Sequence, residues 1–472
     1  MQMVSRIKTI KMVALAAVIA WGFAEPQIAR AENLADALVG AYNTSGLLEQ
    51  NRALLRAADE DVAIAVSSLR PVIDWSTQVS RSFRDTGTSL IARTTYSSTF
   101  FTGVTLDLLV YDGGASKLGV QAAKETVLSA RQTLVDIEQS ILLRAVSAYL
   151  GVLLQGENVS LRINNVRVLG EELRAAEDRF EVGEVTRTDV ALAESRLAAS
   201  RSNLADARGR LVNAQAEYTN AVGHAPGTLA GQPAVPQRAA SVEAAQDLAM
   251  RNHPLIIAAQ HGVSAAELTV LQTSKDLGPT ASFSASAGIS ENWNNSDYNH
   301  NAAAALNFVQ PIYRGGRLAA RLRRSMALRD SQRSNLLTVQ RDVVQSVNDA
   351  FVRLEVARAS LVATNERVRA AQVAFDGIRE EATLGSRTTL DVLTAEQELL
   401  DAQTTRISDM AERSFASYEL LARQGLLTAE RLGLGVQIYD PTIYYNMVKG
   451  APAQISKQSR DLDRILEALG KR

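Results

Sequence analysis

The chain repeats itself. Tyr111-Asp112-Gly113-Gly114 is answered 202 residues later by Tyr313-Arg314-Gly315-Gly316, Ala148-Tyr149 by Ala350-Phe351, and Gly183 with Asp189 by Gly385 with Asp391. A register held over this distance makes the chain two copies of one unit. Upstream the offset drifts, with Asn51 matching Asn252 and Pro71 matching Pro279, so a small length change is expected in that connection. Each copy offers a helical lead-in, a strand pair around a polar loop, a long helix, a tight turn and a second helix. The first repeat is read over 32–230, the second over 231–435, and a C-terminal tail over 436–472.

The strand pairs are expected at about 71–84 with 98–111 and at about 279–291 with 302–313, around polar loops at 85–97 and 292–301. From Ala281 to Ile289, Phe283, Ala285, Ala287 and Ile289 take one face while Ser282, Ser284 and Ser286 take the other. Between Ile73 and Phe83, Trp75 and Val79 oppose Asp74, Ser76, Gln78 and Ser80; the returning strands carry Val104, Leu106 and Leu108, then Leu306 and Phe308. Such alternation fits a transmembrane barrel strand, and it fits a soluble sandwich equally. Four strands cannot close a barrel, for which about eight is the practical minimum. A barrel reading therefore requires several copies, and three would supply twelve strands.

The helices are patterned in sevens. Val127-Leu128, Leu134-Val135, Ile141-Leu142 and Ala148-Tyr149 recur at that spacing, and Leu336-Leu337, Val343-Val344 and Ala350-Phe351 repeat it. After the first turn come Val190, Leu197, Leu204, Leu211 and Tyr218, each followed three residues on by Ala193, Ser200, Ala207, Ala214 or Ala221. Large residues alternating with small ones let helices approach closely. A continuous helix from about Gly114 to Phe180 would extend roughly 100 Å at 1.5 Å per residue. The fold class is thus mixed α and β, with long coiled-coil helices and four strands per chain.

Composition narrows the function. Residues 1–31 read as a signal peptide: Arg6, Lys8 and Lys11 precede an apolar run from Met12 to Ala24, and Ala29-Arg30-Ala31 supplies a cleavage pattern. Without that segment the chain is mildly acidic, which gives no support for nucleic-acid binding. Cysteine is absent, so there is no disulfide framework and no cysteine for a lipid anchor. After the signal no run approaches eighteen consecutive apolar residues, which argues against an ordinary transmembrane helix and leaves a closed barrel as the way across lipid. His224, His253, His261 and His300 lack metal-ligand spacing, and no catalytic or phosphate-loop pattern is present; no enzyme activity, cofactor or metal is expected.

From Glu32-Asn33-Leu34 to about Val448 the chain resembles the TolC-type outer-membrane efflux and secretion protein family. The resemblance is carried by Arg179-Phe180-Glu181-Val182-Gly183 leading to Thr188-Asp189-Val190, by Val309-Gln310-Pro311-Ile312-Tyr313-Arg314-Gly315-Gly316, and by Leu384-Gly385-Ser386-Arg387-Thr388 leading to Asp391-Val392-Leu393. It implies a homotrimer whose strands form one twelve-stranded outer-membrane barrel continued by a periplasmic α-helical tunnel. The implied function is a passive exit duct for type I protein secretion or multidrug efflux, spanning outer-membrane lipid. A periplasmic adaptor protein and an inner-membrane ABC or RND transporter are the implied partners. The tail, with Tyr439-Asp440-Pro441 and Tyr444-Tyr445, resembles those of members serving type I secretion. The competing reading is a periplasmic coiled-coil adaptor or scaffold.

The resemblance also assigns sites. The turns from Val182 to Asp189 and from Leu384 to Asp391 become the periplasmic tip, with Val182, Gly183, Glu184, Leu384, Gly385 and Ser386 as adaptor contacts. Asp391 becomes a ring residue near the tunnel constriction, although its sequence also fits a helix N-cap. Thr394 stands where family members carry a second aspartate, and Ala382 where they carry a tyrosine. Arg387 with Asp189 and Thr188 becomes the polar contact that holds the gate closed. In the tail, Ile455, Leu462, Ile465, Leu466 and Leu469 suggest a short amphipathic helix.

Overall fold

The computed structural model describes residues 31–88, 91–237, 239–293, 298–454 and 456–468. All of the expected signal segment except Ala31 lies outside them. In order the elements are α1 (Leu34–Thr44), α2 (Gly46–Ser67), β1 (Val72–Thr88), β2 (Ile91–Tyr111), α3 (Ala115–Glu181) and α4 (Arg187–Val222), followed by α5 (Val242–Asn252), α6 (Pro254–Lys275), β3 (Thr280–Asn292), β4 (Tyr298–Val309), α7 (Arg317–Thr383) and α8 (Thr389–Arg423), then α9 (Pro441–Val448) and α10 (Lys457–Ala468).

The two copies match element for element. Helices α3 and α7 are each 67 residues long and start 202 residues apart. The lead-in helices match as 11 with 11 residues and as 22 with 22, and they stand 208 apart, as do Ser45 and His253, whose side chains cap the following helix by accepting from Leu48 and Leu255 backbone N–H. This corrects the Asn51–Asn252 match: Asn252 corresponds to Thr44. The offset is constant through the lead-in, and the length change sits in the hairpin instead. It went there because a polar hairpin end lengthens at no cost in core packing.

The strands form one antiparallel sheet in the order β1-β2-β3-β4. Adding 208 on β1 and 202 on β2 converts the pair Ile73↔Leu106 into Ala281↔Phe308, which is the pairing observed in the second hairpin. Register places the expected apolar residues in common rows: Ile73-Leu106-Ala285-Ala304, then Trp75-Val104-Ala287-Ala302, with Leu108-Phe283-Leu306 beside them. The opposite face carries Asp74, Thr105, Ser286 and their neighbours. The expected loops are largely strand: Asp85 pairs with Thr94 and Arg84 with Thr95, and β4 begins at Tyr298 rather than 302. Threonine-rich polar sequence pairs well in a strand without apolar alternation, so alternation alone stopped short of the strand ends.

The chain divides into two compact units, one within Met1–Thr44, Arg144–Val235 and Val356–Phe415, the other within Ser45–Leu143, Pro236–Glu355 and Ala416–Arg472. In the second unit Ala245, Ala249, Ile256, Val343, Val347, Ala350, Leu354, Ala416 and Leu420 form one buried cluster. Leu55, Val62 and Val127 form another, covered by Tyr439 and Tyr445 of the tail. Tyr444 donates its hydroxyl to Glu60 at 2.8 Å, and Arg52 lies over the Tyr439 ring. In the tail, α10 buries Leu462, while Ile455 and Leu469 lie outside the described residues.

Unbroken apolar runs understate how apolar two of the helices are. Helices α3 and α6 each hold an eighteen-residue window apolar enough to cross a membrane by length and composition. In α3 the buried residues include Ile141, Leu142, Ala145, Val146 and Tyr149, so helix packing accounts for that run.

Candidate functional site

Each long helix ends in a turn built by local chemistry. Gly183 adopts φ +79° and Gly385 φ +77°, a region where a side chain would clash with the backbone. Their neighbours close the last helical turn: Glu184 N donates to Arg179 O at 2.9 Å, and Ser386 N to Glu381 O at 3.0 Å. This satisfies carbonyls that the helix end leaves open. The next helix then starts on a reciprocal cap. Thr186 N donates to the Asp189 carboxylate at 2.9 Å while Asp189 N donates to Thr186 Oγ1 at 3.3 Å. Thr388 and Asp391 repeat this at 3.0 and 3.2 Å.

The cap revises the reading of Asp391. The N-cap is Thr388, and Asp391 supplies the returning carboxylate from the first turn of α8. Backbone and hydroxyl hydrogen bonds from Thr388 lower its pKa, as those from Thr186, the hydroxyl first, lower that of Asp189. Both carboxylates are therefore held ionised.

Arg387 is placed differently from the expectation. Its Nε donates to Glu381 Oε2 at 2.8 Å, inside its own turn, and this contact raises its pKa further. Within the chain Arg387 does not meet Asp189, which is engaged with Thr186, and no hydrogen bond joins it to Thr188 among the described residues. The reason is reach: Glu381 lies one helical turn back on the same hairpin. Ala382 is buried against Phe375, Val392, Ala395 and Leu399, so the position packs the hairpin rather than presenting a polar link. Thr394 is exposed, with its hydroxyl donated to Leu390 O at 2.8 Å. Val182 and Leu384 are 72% and 78% exposed, two large apolar side chains held out at the turns.

Above the turns sits a polar layer that the sequence pattern did not disclose. Asn165 on α3 donates its amide to Glu396 on α8 and accepts from the Ser200 hydroxyl on α4; all three are buried. Burial raises the pKa of Glu396, against a smaller lowering by Asn165. In the sequence Ser200 stands out only as a small residue in the α4 stripe. Its hydroxyl, facing a core position that an asparagine occupies, was the available signal. Nearby, Leu169, Ala176, Ala193, Leu197 and Leu393 bring α3, α4 and α8 into one apolar cluster. The turns are thus closed by their own hydrogen bonds, carry the ionised Asp189 and Asp391, and hold Val182 and Leu384 outward. No group of three or more metal-ligating side chains occurs among the described residues.

A family model described as outer membrane efflux protein matches residues 41–224 and 232–422, one match for each repeat. The chain is 36% identical over 441 residues to the outer membrane efflux protein BepC of Brucella suis biovar 1, covering 93% of this chain and 95% of that one. It is 27% identical over 293 residues to the alkaline protease secretion protein AprF of Pseudomonas aeruginosa, covering 60% of this chain and 59% of that one. Its fold is similar to that of the Campylobacter jejuni CmeC outer membrane channel, with a TM-score of 0.75 at 15% identity over 89% of this chain and 90% of that one.

Proposed function

The chain belongs to the outer membrane efflux protein family, whose members are outer-membrane channels, and we propose that three copies build one export duct gated at the helical hairpin turns. The observation that carries the proposal is the sheet. One face is predominantly apolar, with Ile73, Trp75, Val79 and Leu306 all more than 60% exposed, and its outer strands β1 and β4 have unpaired edges among the described residues. In lipid both an apolar wall and closure of every edge are required. Three four-stranded sheets make twelve strands, an even number within the range of outer-membrane barrels.

The dimensions agree. Phe308 and Tyr298 stand ten residues apart on β4, roughly 33 Å along a strand. At a tilt of about 40° this becomes roughly 25 Å, the height of an outer-membrane apolar band. Aromatic residues mark both ends, with Phe283 and Phe308 at one and Tyr298, Phe100 and Trp293 at the other; the last two stack at 6.3 Å.

At the turns, Asp391 of three copies forms a carboxylate ring that favours cations and repels anions. Thr394 adds hydroxyls but no charge, so the ring is single. The exposed Val182 and Leu384, with Gly183, Glu184, Gly385 and Ser386, form the surface that a periplasmic adaptor grips, and an inner-membrane transporter supplies the energy. The duct itself catalyses no reaction. The relatives' names divide between efflux and protease secretion, and the duct serves one or both. Membrane fractionation and planar-bilayer recording test this: the protein is expected in the outer-membrane fraction and conducts, and recovery in the soluble periplasm overturns the proposal.

A further inference from the structure

Resting on the reading that copies share one barrel, we propose that the joint between the two repeats inside the chain is the template for the joint between copies. In that joint the β4–α7 edge of one copy meets the β1–α2 edge of the next, in a register fixed by Arg321 and Arg324 facing Glu60 and Asp61.

The template is explicit. Within the chain β2 pairs with β3, as in Val104↔Ala287. Below them α3 meets α6: Glu125 contacts His261 at 2.7 Å, Ser129 donates to Ala258 O at 3.0 Å, and a Cβ on Gly119 would stand 3.0 Å from the Gln272 amide. Because the offsets 202 and 208 convert one hairpin's register into the other's, they also convert this joint into its counterpart. β2 becomes β4, α3 becomes α7, β3 becomes the neighbour's β1 and α6 the neighbour's α2.

On the sheet, Leu306 then falls opposite Val79 of the next copy, Ala302 opposite Phe83, Asn307 opposite Gln78 and His300 opposite Asp85. Leu306 with Val79 and Ala302 with Phe83 meet on the outer face, which also brings Ala304 opposite Arg81 and His300 opposite Asp85, while Asn307 meets Gln78 inside. All twelve residues of β4 find partners between Ser76 and Gly87, wholly inside β1. An edge that would otherwise expose its backbone is closed along its whole length.

On the helices, Arg321 takes the place of Gly119, where a Cβ points at the partner helix, and falls beside Ile64 of the next copy. Glu60 and Asp61 lie within one turn of Ile64, and Arg324 falls level with them. The charges separate the two joints. At the places of Ala115, Gly119, Gln121 and Ala122 the second repeat carries Arg317, Arg321, Arg323 and Arg324. All four are exposed and lack an ion-pair partner among the described residues. Against Leu268-Thr269 on α6, α2 carries Glu60-Asp61, while buried Asp59 stands at the place of Glu267. Arginines near the start of α7 oppose the positive end of its dipole, and an anionic neighbour offsets that. The joint within the chain, whose charged contact is Glu125 with His261, lacks the arginine and carboxylate set of the joint between chains, and this difference favours β4 meeting the β1 edge of another copy over another β3.

The absence of cysteine makes the test clean. In full-length protein extracted from outer membranes, Arg324→Cys combined with Asp61→Cys is expected to give covalent dimers and trimers on oxidation. Separately, Arg324→Asp and Asp61→Arg are each expected to lower the trimer fraction about tenfold, as an interfacial charge pair does; combined, they restore it, which also distinguishes interface loss from misfolding. If the unaltered protein is trimeric by light scattering while the cysteine pair stays monomeric and the charge swap restores nothing, this register is wrong and the duct stands. If the unaltered protein is itself monomeric in the membrane, both fall.

Discussion

Arg379 on α7 meets Glu172 on α3 with Nε 3.1 Å from Oε1, at a glutamate whose side chain is 7% exposed while the arginine is half exposed. The two ends of the contact are therefore unequal. Removing the arginine strands a buried carboxylate, whereas neutralising the glutamate leaves a cation that water can reach. Arg379→Ala is expected to cost about 2 kcal/mol and Glu172→Gln under about 1 kcal/mol. Chemical denaturation of the two variants and their combination measures the difference, and equal costs would count against the asymmetry.

Asp59 is fully buried, with neither carboxyl oxygen hydrogen-bonded among the described residues. Burial, only partly countered by Arg131, raises its pKa from 3.8 to about 6. The folded state thus holds the proton more tightly than the unfolded one. The stability this lends is fully present below the ordinary value of 3.8 and is lost as pH rises through about 6. Asp59→Asn is expected to remove that loss, making the variant more stable than the parent at neutral pH by on the order of 2 kcal/mol. Thermal unfolding followed across the acid-to-neutral range reads it directly.

Thr388 caps α8 and holds Asp391. Thr388→Val keeps the shape but loses the hydroxyl, at a cost of about 1 kcal/mol. Faster amide hydrogen exchange confined to the first turn of α8 is the expected signature. Unchanged exchange there would mean that Thr388 contributes nothing to the cap.

If Arg387 steadies the closed turn, it does so through Glu381. Arg387→Ala and Glu381→Gln are then both expected to raise single-channel conductance in planar bilayers, while Asp189→Asn leaves it near the parent value. Should Asp189→Asn act as Arg387→Ala does, the two turns are linked between copies instead.

Adjacent residues on β4 face opposite ways. Ala304 lies in the apolar row with Ile73 and Leu106, and Ala303 pairs with Ser286 on the polar face. An arginine on the lipid side near the bilayer middle costs about 2–4 kcal/mol. Ala304→Arg is expected to reduce outer-membrane assembly sharply, and Ala303→Arg to leave it intact; the amount of protein recovered in the outer-membrane fraction is the readout.

Much of this protein was determined by residues within a few positions of one another. Alternation around Trp75 and Phe283 set the strands, glycine with Thr-x-x-Asp set both turns, and the seven-residue pattern through Leu142 and Tyr149 set the long helices. These features are legible because period, turn and cap are local: each depends on sterics and hydrogen bonds inside one or two turns of chain. The repeat added one non-local fact, that whatever one half builds the other builds again.

Only tertiary structure decided which distant groups meet. Arg387 could be read toward Asp189 because both stand in turns, yet the nearer Glu381 takes it. Asn165, Ser200 and Glu396 each look ordinary in sequence, and their junction exists only because α3, α4 and α8 pack at one particular register. The hairpin, not the lead-in, absorbed the length difference between repeats, because the lead-in helices are fixed by their burial while the hairpin end is free to grow. Pairings across helices and strands depend on register between segments far apart in the chain, and no local pattern records that register.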